Sequence, residues 1–282
     1  MTGVVDARPS PIAGQWYPAD PQQLRKLDEG FINEARLPEI SGEVIAVMAP
    51  HAGHLYSGAV AGYAFAALKG KKPEVVAVVS PMHQLYYQPL LTSAHDAYET
   101  PLGLVEIDRD AVTSLSRRLQ TKIGVELTPV RNDPEHSLEI ELPYLQVALD
   151  SNFKLIPVML RDQSLQVTRA LGEALAEELR GRDAVIVASS DLSHFYPQEI
   201  ARVFDLEILR RVEAFDPQSV LSAEEDGEGF ACGKGAVASM LWAARGLGAN
   251  RVRVLQYATS GDVTGDFSRV VGYGAAVVYK SQ

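Results

Sequence analysis

The chain is poor in cysteine. Cys232 is the single cysteine in 282 residues, so no intrachain disulfide can form and a reducing compartment is expected. Basic runs are also scarce. Lys69 to Lys72 is the nearest to one, and 26 Lys and Arg against 36 Asp and Glu leave a net charge of -10. Nucleic acid and anionic membranes need clustered cations, so neither is an expected partner. No uninterrupted apolar run of about 18 residues occurs. The first twenty residues, MTGVVDARPSPIAGQWYPAD, lack a basic stretch followed by an apolar one, so a soluble cytoplasmic protein is expected. GKGA lacks the spacing of a phosphate loop, and no G-x-S-x-G elbow surrounds Ser189 and Ser190, which disfavours a serine hydrolase. Repeats, low-complexity tracts and Pro-, Gly- or Ser-rich linkers are absent. The length allows one domain or two, and one domain spanning 1–282 is the expectation.

What the chain does have is alternation. Short β-branched apolar runs at 43–49, 74–80, 153–160, 183–189, 251–257 and 270–279 read as buried strands. Helical patterns lie among them at 57–68, 109–120, 134–149, 164–179, 198–215 and 234–245. A further helix at 21–35 opens after Asp20, with Pro21 at its first position. This order predicts an α/β fold with a mainly parallel central sheet flanked by helices. The last two strands are expected side by side near an edge, and 89–108 is expected to hold a short hairpin.

Three strands run into similar polar tails: VIAVMAPHAGH, VVAVVSPMH and VIVASSDLSH. Each delivers a histidine, and open parallel sheets bind ligands beyond the carboxyl ends of their strands. His51, His83 and His194 are therefore expected to converge. Imidazoles suit iron, copper and zinc, and a third, anionic donor is needed. Asp191 shares the SSDLSH turn with His194. Cys232, in GFACGKG, precedes a helix whose dipole favours thiolate, although a free cysteine is as often a small buried hydrophobe. DPEHSLEIELPYLQ places His136 and Glu139 three residues apart on one expected helical face. Those charges serve either a helix N-terminus and an internal ion pair, or the orientation of a ligand histidine and acid–base work. Tyr56 either lines a pocket or packs as an ordinary aromatic. Trp16 and Tyr17 are expected to dock the N-terminal segment.

PIAGQWYP, APHAGHLYSG, SPMH, ETPLG, EHSLEIELPYLQ, ASSDLSHF, ACG, YATSGD and VVGYGA, in that order, resemble the MEMO family, also called AmmeMemoRadiSam system protein B. That family is similar in fold to class III extradiol ring-opening dioxygenases, which hold non-heme Fe(II) with two histidines and a glutamate. The resemblance implies His51 and His83 as metal ligands, and Cys232 where the dioxygenases place their glutamate. It implies His194 as the acid–base histidine and His136 as a second catalytic histidine of the pocket. Asp191 becomes a supporting or alternative ligand, with Glu139 as a further anionic candidate. Iron or copper is the implied metal, with zinc possible, and sulfur in place of a carboxylate changes the redox potential. The expected function is a metal-dependent redox enzyme acting on an unidentified small molecule or peptide. The alternative is a non-catalytic protein that binds a ligand, peptide or metal in a dioxygenase-like pocket. A pathway shared with a radical SAM protein and an AMMECR1-type protein is also implied.

Overall fold

The computed structural model describes residues 5–281. Four largely apolar strands form its centre: β2 (Gly42–Ala49), β3 (Val75–Pro81), β8 (Lys154–Leu160) and β9 (Ala184–Ser189). They lie side by side in the order β2-β9-β3-β8, all parallel. Both faces are covered, so the strands read as continuous Val, Ile and Ala runs with no polar alternation.

On each flank the next strand out runs antiparallel to this centre. β12 (Val270–Ser281) pairs with β2 along one edge and with β11 (Arg251–Thr259) along the other, so the last two strands are neighbours at the margin as expected. At the far side β4 (Leu90–Ser93) runs antiparallel to β8 and pairs with β7 (Thr128–Val130). The hairpin expected within 89–108 is β5 (Ala97–Thr100) and β6 (Gly103–Glu106), which join β1 (Ala7–Arg8) in a separate small sheet.

Helices flank the large sheet. α2 (His54–Ala66) packs on β2, β11 and β12, while α8 (Lys234–Gly246) packs on β3 and β9 and against α5 (Leu165–Leu179). α1 (Pro21–Glu34) lies on α2, α3 (Arg109–Ile123) on α5, and α6 (Gln198–Glu213) on β11 and β12. α1 starts as the sequence predicts, with Asp20 accepting from the Gln23 N–H and Pro21 at the first position. α7 (Pro217–Ser222) and α9 (Ser260–Thr264) are short.

Two local expectations fail. The helix expected over 134–149 is α4, restricted to Glu141–Ala148. Pro143 explains the late start: it is tolerated in a first helical turn, but in the interior it lacks a donor and clashes with the preceding turn. Upstream of it the Glu135 carboxylate accepts from the His136 and Ser137 N–H groups, a local alternative to helix. The segment expected as the SSDLSH turn is instead a strand, β10 (Asp191–Tyr196), bulged twice against β12.

Candidate functional site

His51 follows β2 and His83 follows β3 by two residues or fewer, and β9 lies between those strands and leads into β10. Parallel neighbours bring their carboxyl ends to one edge, so the three tails meet there. His136 arrives at the same place from the irregular stretch before α4. One ring nitrogen from each of His51, His83 and His136 lies within 4.8 Å of the others. Ring centroids stand 5.3 Å apart for His51 and His83, 5.5 Å for His51 and His136, and 4.9 Å for His83 and His136.

Each imidazole is held from behind. Glu135, fully buried, places Oε1 2.9 Å from His83 Nδ1 and 3.3 Å from His136 Nδ1. Its other oxygen accepts from the His83 backbone N–H at 2.5 Å. Burial opposes ionisation of Glu135, but the His83 hydrogen bond and the charges of His83 and His136 outweigh it and hold the carboxyl well below its usual range. His51 Nδ1 lies 2.9 Å from Ser189 Oγ, which is also 2.6 Å from Glu141 Oε1 and 2.7 Å from the Ser137 carbonyl. A hydroxyl has one proton to give. One assignment satisfies all three contacts: Ser189 donates to Ser137, while His51 Nδ1–H and a protonated Glu141 donate to Ser189. Burial pushes the Glu141 carboxyl well above its usual range, against the Ser189 bond.

The same environment disfavours the charged form of His51 and of His136. Burial, with positive charge on His136 and His83, drives His51 well below the usual range. Burial brings His136 down to about 4, with Glu135 opposing. Neutral imidazole is the form that ligates a metal. Asp191 accepts the His51 backbone N–H at 2.8 Å, and burial raises its carboxyl to about 7 despite that bond.

Cys232 stands beside this group. Its sulfur is 3.1 Å from His51 Nε2 and 3.5 Å from the Asp191 carbonyl, but it is not part of the three-nitrogen cluster. The ACG loop is pinned by Gly233: a Cβ there would strike the Ser189 carbonyl and Ser190, so only glycine lets α8 approach the end of β9. Gln163 completes the clamp, donating to the Cys232 carbonyl at 2.8 Å and accepting from the Gly235 N–H. The helix dipole does not set the state of this thiol. Burial, reinforced by Asp191, pushes it up.

His51, His83, His136, Asp191, Tyr56 and His194 all line one cavity of about 670 Å3. His194 reaches it from β10, between the rings of Phe195 and Phe230, and burial lowers its pKa. Glu139 does not line the cavity, contrary to the sequence reading. With the helix absent at that point, its carboxylate turns to the Arg8 guanidinium, Ser10 and the Tyr17 hydroxyl, fully buried. Arg8 also binds Asp133 through two nitrogens and the Glu135 carbonyl, and so ties β1 to the segment that carries His136. Trp16 packs on His136, with ring centroids at 4.1 Å. His95 pairs with Asp6, and His54 lies beside Asp28. A larger cleft of about 1330 Å3 opens around Glu74, Lys154 and Arg182, at the opposite ends of the parallel strands, and holds none of the histidines.

The resemblance places His136 in the pocket as a catalytic histidine; what the sequence reading missed is that its ring nitrogen joins those of His51 and His83 in one cluster. Its one local signal is the neighbouring Glu135, one of the DPEHSLEIELPYLQ charges for which the sequence left open a helix N-terminus or the orientation of a ligand histidine.

Known proteins agree with this architecture. The family model described as Memo-like protein matches residues 8–277. A MEMO1 family protein of Methanopyrus kandleri is 38% identical over 283 residues, covering 95% of this chain and 97% of that one. One from Nitrosopumilus maritimus is 35% identical over 268 residues, covering 94% and 96%. Among solved structures, an uncharacterized protein from Escherichia coli K12 superposes with a TM-score of 0.50 at 13% identity, over 83% of this chain and 99% of that one. That likeness speaks for the fold alone. With the family model spanning nearly the whole chain and such relatives end to end, the chain belongs to the MEMO family.

Proposed function

We propose that the protein is a metal-dependent redox enzyme that binds iron or copper at His51, His83 and His136, with Cys232 as a sulfur donor beside His51. The three ring nitrogens gathered within 4.8 Å at the sheet edge carry this reading. The donor set fits a transition metal. With Nδ1 of each imidazole engaged by Glu135 or Ser189, Nε2 is the nitrogen left to face an ion, which is the arrangement of ligand histidines backed by a carboxylate or hydroxyl. Adjacent donors on one ion lie roughly 3 to 3.6 Å apart for bond lengths of about 2.0–2.3 Å, so the Cys232 sulfur, at 3.1 Å from His51 Nε2, is within ligand distance. Bound there, iron or copper supplies electron transfer and Lewis acidity.

The chain's own groups do the remainder. Glu135 fixes the orientation of two imidazoles at once. His194, whose charged form burial disfavours, accepts a proton from a molecule in the cavity and returns it. Asp191 holds the backbone of His51. The resemblance to ring-opening dioxygenases supports redox chemistry over hydrolysis.

The test is metal content after anaerobic purification, with oxygen uptake in the presence of candidate substrates. Iron or copper near one per chain is expected, with His51→Ala and His83→Ala devoid of it. Glu135→Gln should weaken metal affinity about 10- to 100-fold, as loss of a carboxylate behind ligand histidines does. His194→Ala should lower turnover and keep the metal. Metal content unchanged in both His51→Ala and His83→Ala would overturn the assignment. Metal binding with no oxygen or substrate consumption would favour the binding protein over the enzyme.

A further inference from the structure

The cavity has walls that metal binding does not require. Trp16 stacks against His136 on one side, and Phe195 stands next to His194 on another, with ring centroids 5.8 Å apart. Tyr56 is a third aromatic of the lining. Phe195 is 60% exposed, and its backbone sits at φ 65. A bulky side chain in the left-handed region is an outlier that costs energy and persists where the surroundings enforce it. Burial of Phe195 does not repay that cost. Arg269 lies over the Phe195 ring, its guanidinium carbon 5.3 Å from the centroid. Among the described residues it has no carboxylate partner within 4.0 Å, and it is the one Lys or Arg of the cavity lining. The two acids of the lining are occupied. Asp266 accepts from the Ser268 N–H and hydroxyl, and Asp191 accepts from the His51 N–H.

We infer that the cavity takes a small flat organic carboxylate, its ring or conjugated body laid between the aromatic walls, its carboxylate on Arg269 and its reacting end at the histidines. This inference rests on the metal-site reading for what happens at that end, but binding of the flat anion stands on the walls and Arg269 alone. A planar guanidinium fork matches a carboxylate in shape and charge. One unpaired cation, with Asp266 close by in the lining, suits a monoanion better than a phosphate dianion. A volume of about 670 Å3 admits a molecule of one or two rings.

Benzoate, benzamide and phenyl phosphate are the probes, titrated calorimetrically into full-length protein with metal supplied and after chelation. Benzoate should bind in both states and more tightly than the other two. Arg269→Gln should weaken benzoate about tenfold or more, to the level of benzamide, and Arg269→Lys should recover part of the loss. Phe195→Leu should weaken benzoate and benzamide alike, because both use the ring. Metal content should stay at the wild-type level in all three variants. Benzoate affinity indifferent to Arg269→Gln, tighter binding of phenyl phosphate, or benzoate binding only to metal-loaded protein would each overturn the inference. Failure of the wild type to hold metal would count against the metal site and leave the chelated-protein titration to decide this proposal.

Discussion

Glu141 shows how a single buried group shapes the site without touching the cavity. Burial disfavours the charged form of its carboxyl, and when protonated it can donate to Ser189, which in turn accepts His51 Nδ1–H. The consequence for pH is specific. In the unfolded chain this group titrates near its ordinary value of 4.5, whereas in the fold its pKa is raised well above that. As pH climbs past about 4.5 the unfolded state releases a proton that the folded state keeps, so stability falls by up to about 1.4 kcal/mol per pH unit until the folded pKa is reached. Glu141→Gln keeps a donor of the same shape and removes the titration. Thermal melts should therefore show the variant gaining on the wild type as pH rises above about 4.5. A constant difference across that rise would mean Glu141 is ionised in the fold. At this scale the sequence was legible where the signal was local. His51, His83 and His194 each follow an apolar strand in the chain. Glu139 could be read as half of an ion pair but its partner could not be named, because Arg8 lies 131 residues away.

Among the elements, β10 is the one whose shape matters most to the site. Its two bulges against β12 aim His194 and Phe195 at the cavity and place Phe195 in the left-handed region. Glycine adopts that conformation freely, so Phe195→Gly should relieve strain of about 1–3 kcal/mol, against a glycine entropy cost of about 0.5–1 kcal/mol. The melting temperature should hold or rise in the variant while benzoate binding declines. A marked fall in melting temperature would show that the ring stabilises the fold and is not kept for a ligand. Strand content was readable because β2, β3, β8 and β9 are short apolar runs containing β-branched residues. The bulges of β10 were not, since they arise from pairing with β12, nearly eighty residues later in the chain. The truncated α4 was readable in principle, because Pro143 forbids a helix that starts at 134.

Across the whole molecule, the small sheet acts as an anchor for the metal end of the large one. Arg8 on β1 reaches Asp133, Glu135 and Glu139, with all the charged groups almost fully buried, and its guanidinium also lies 5.0 Å from the Tyr98 ring centroid. Removing one partner leaves buried charge uncompensated, at a cost of about 3–5 kcal/mol. Arg8→Leu should lower stability to urea by that order, and metal affinity with it, because the segment bearing Glu135 and His136 loses its tether. Near-wild-type stability would show that the network is not what fixes His136. No periodicity could reveal this long-range arrangement, which explains why the fold class was legible and the clustering of the His136 nitrogen with those of His51 and His83 was not.

The account turns on three imidazoles and one sulfur around a single ion, and X-ray absorption reads that donor set directly. In protein reconstituted with zinc, the edge spectrum should show imidazole scattering with nitrogen at about 2.0–2.1 Å and one sulfur at about 2.3 Å. Cys232→Ser should abolish the sulfur shell and leave the imidazoles. A spectrum of oxygen donors alone, without imidazole scattering, would contradict the site.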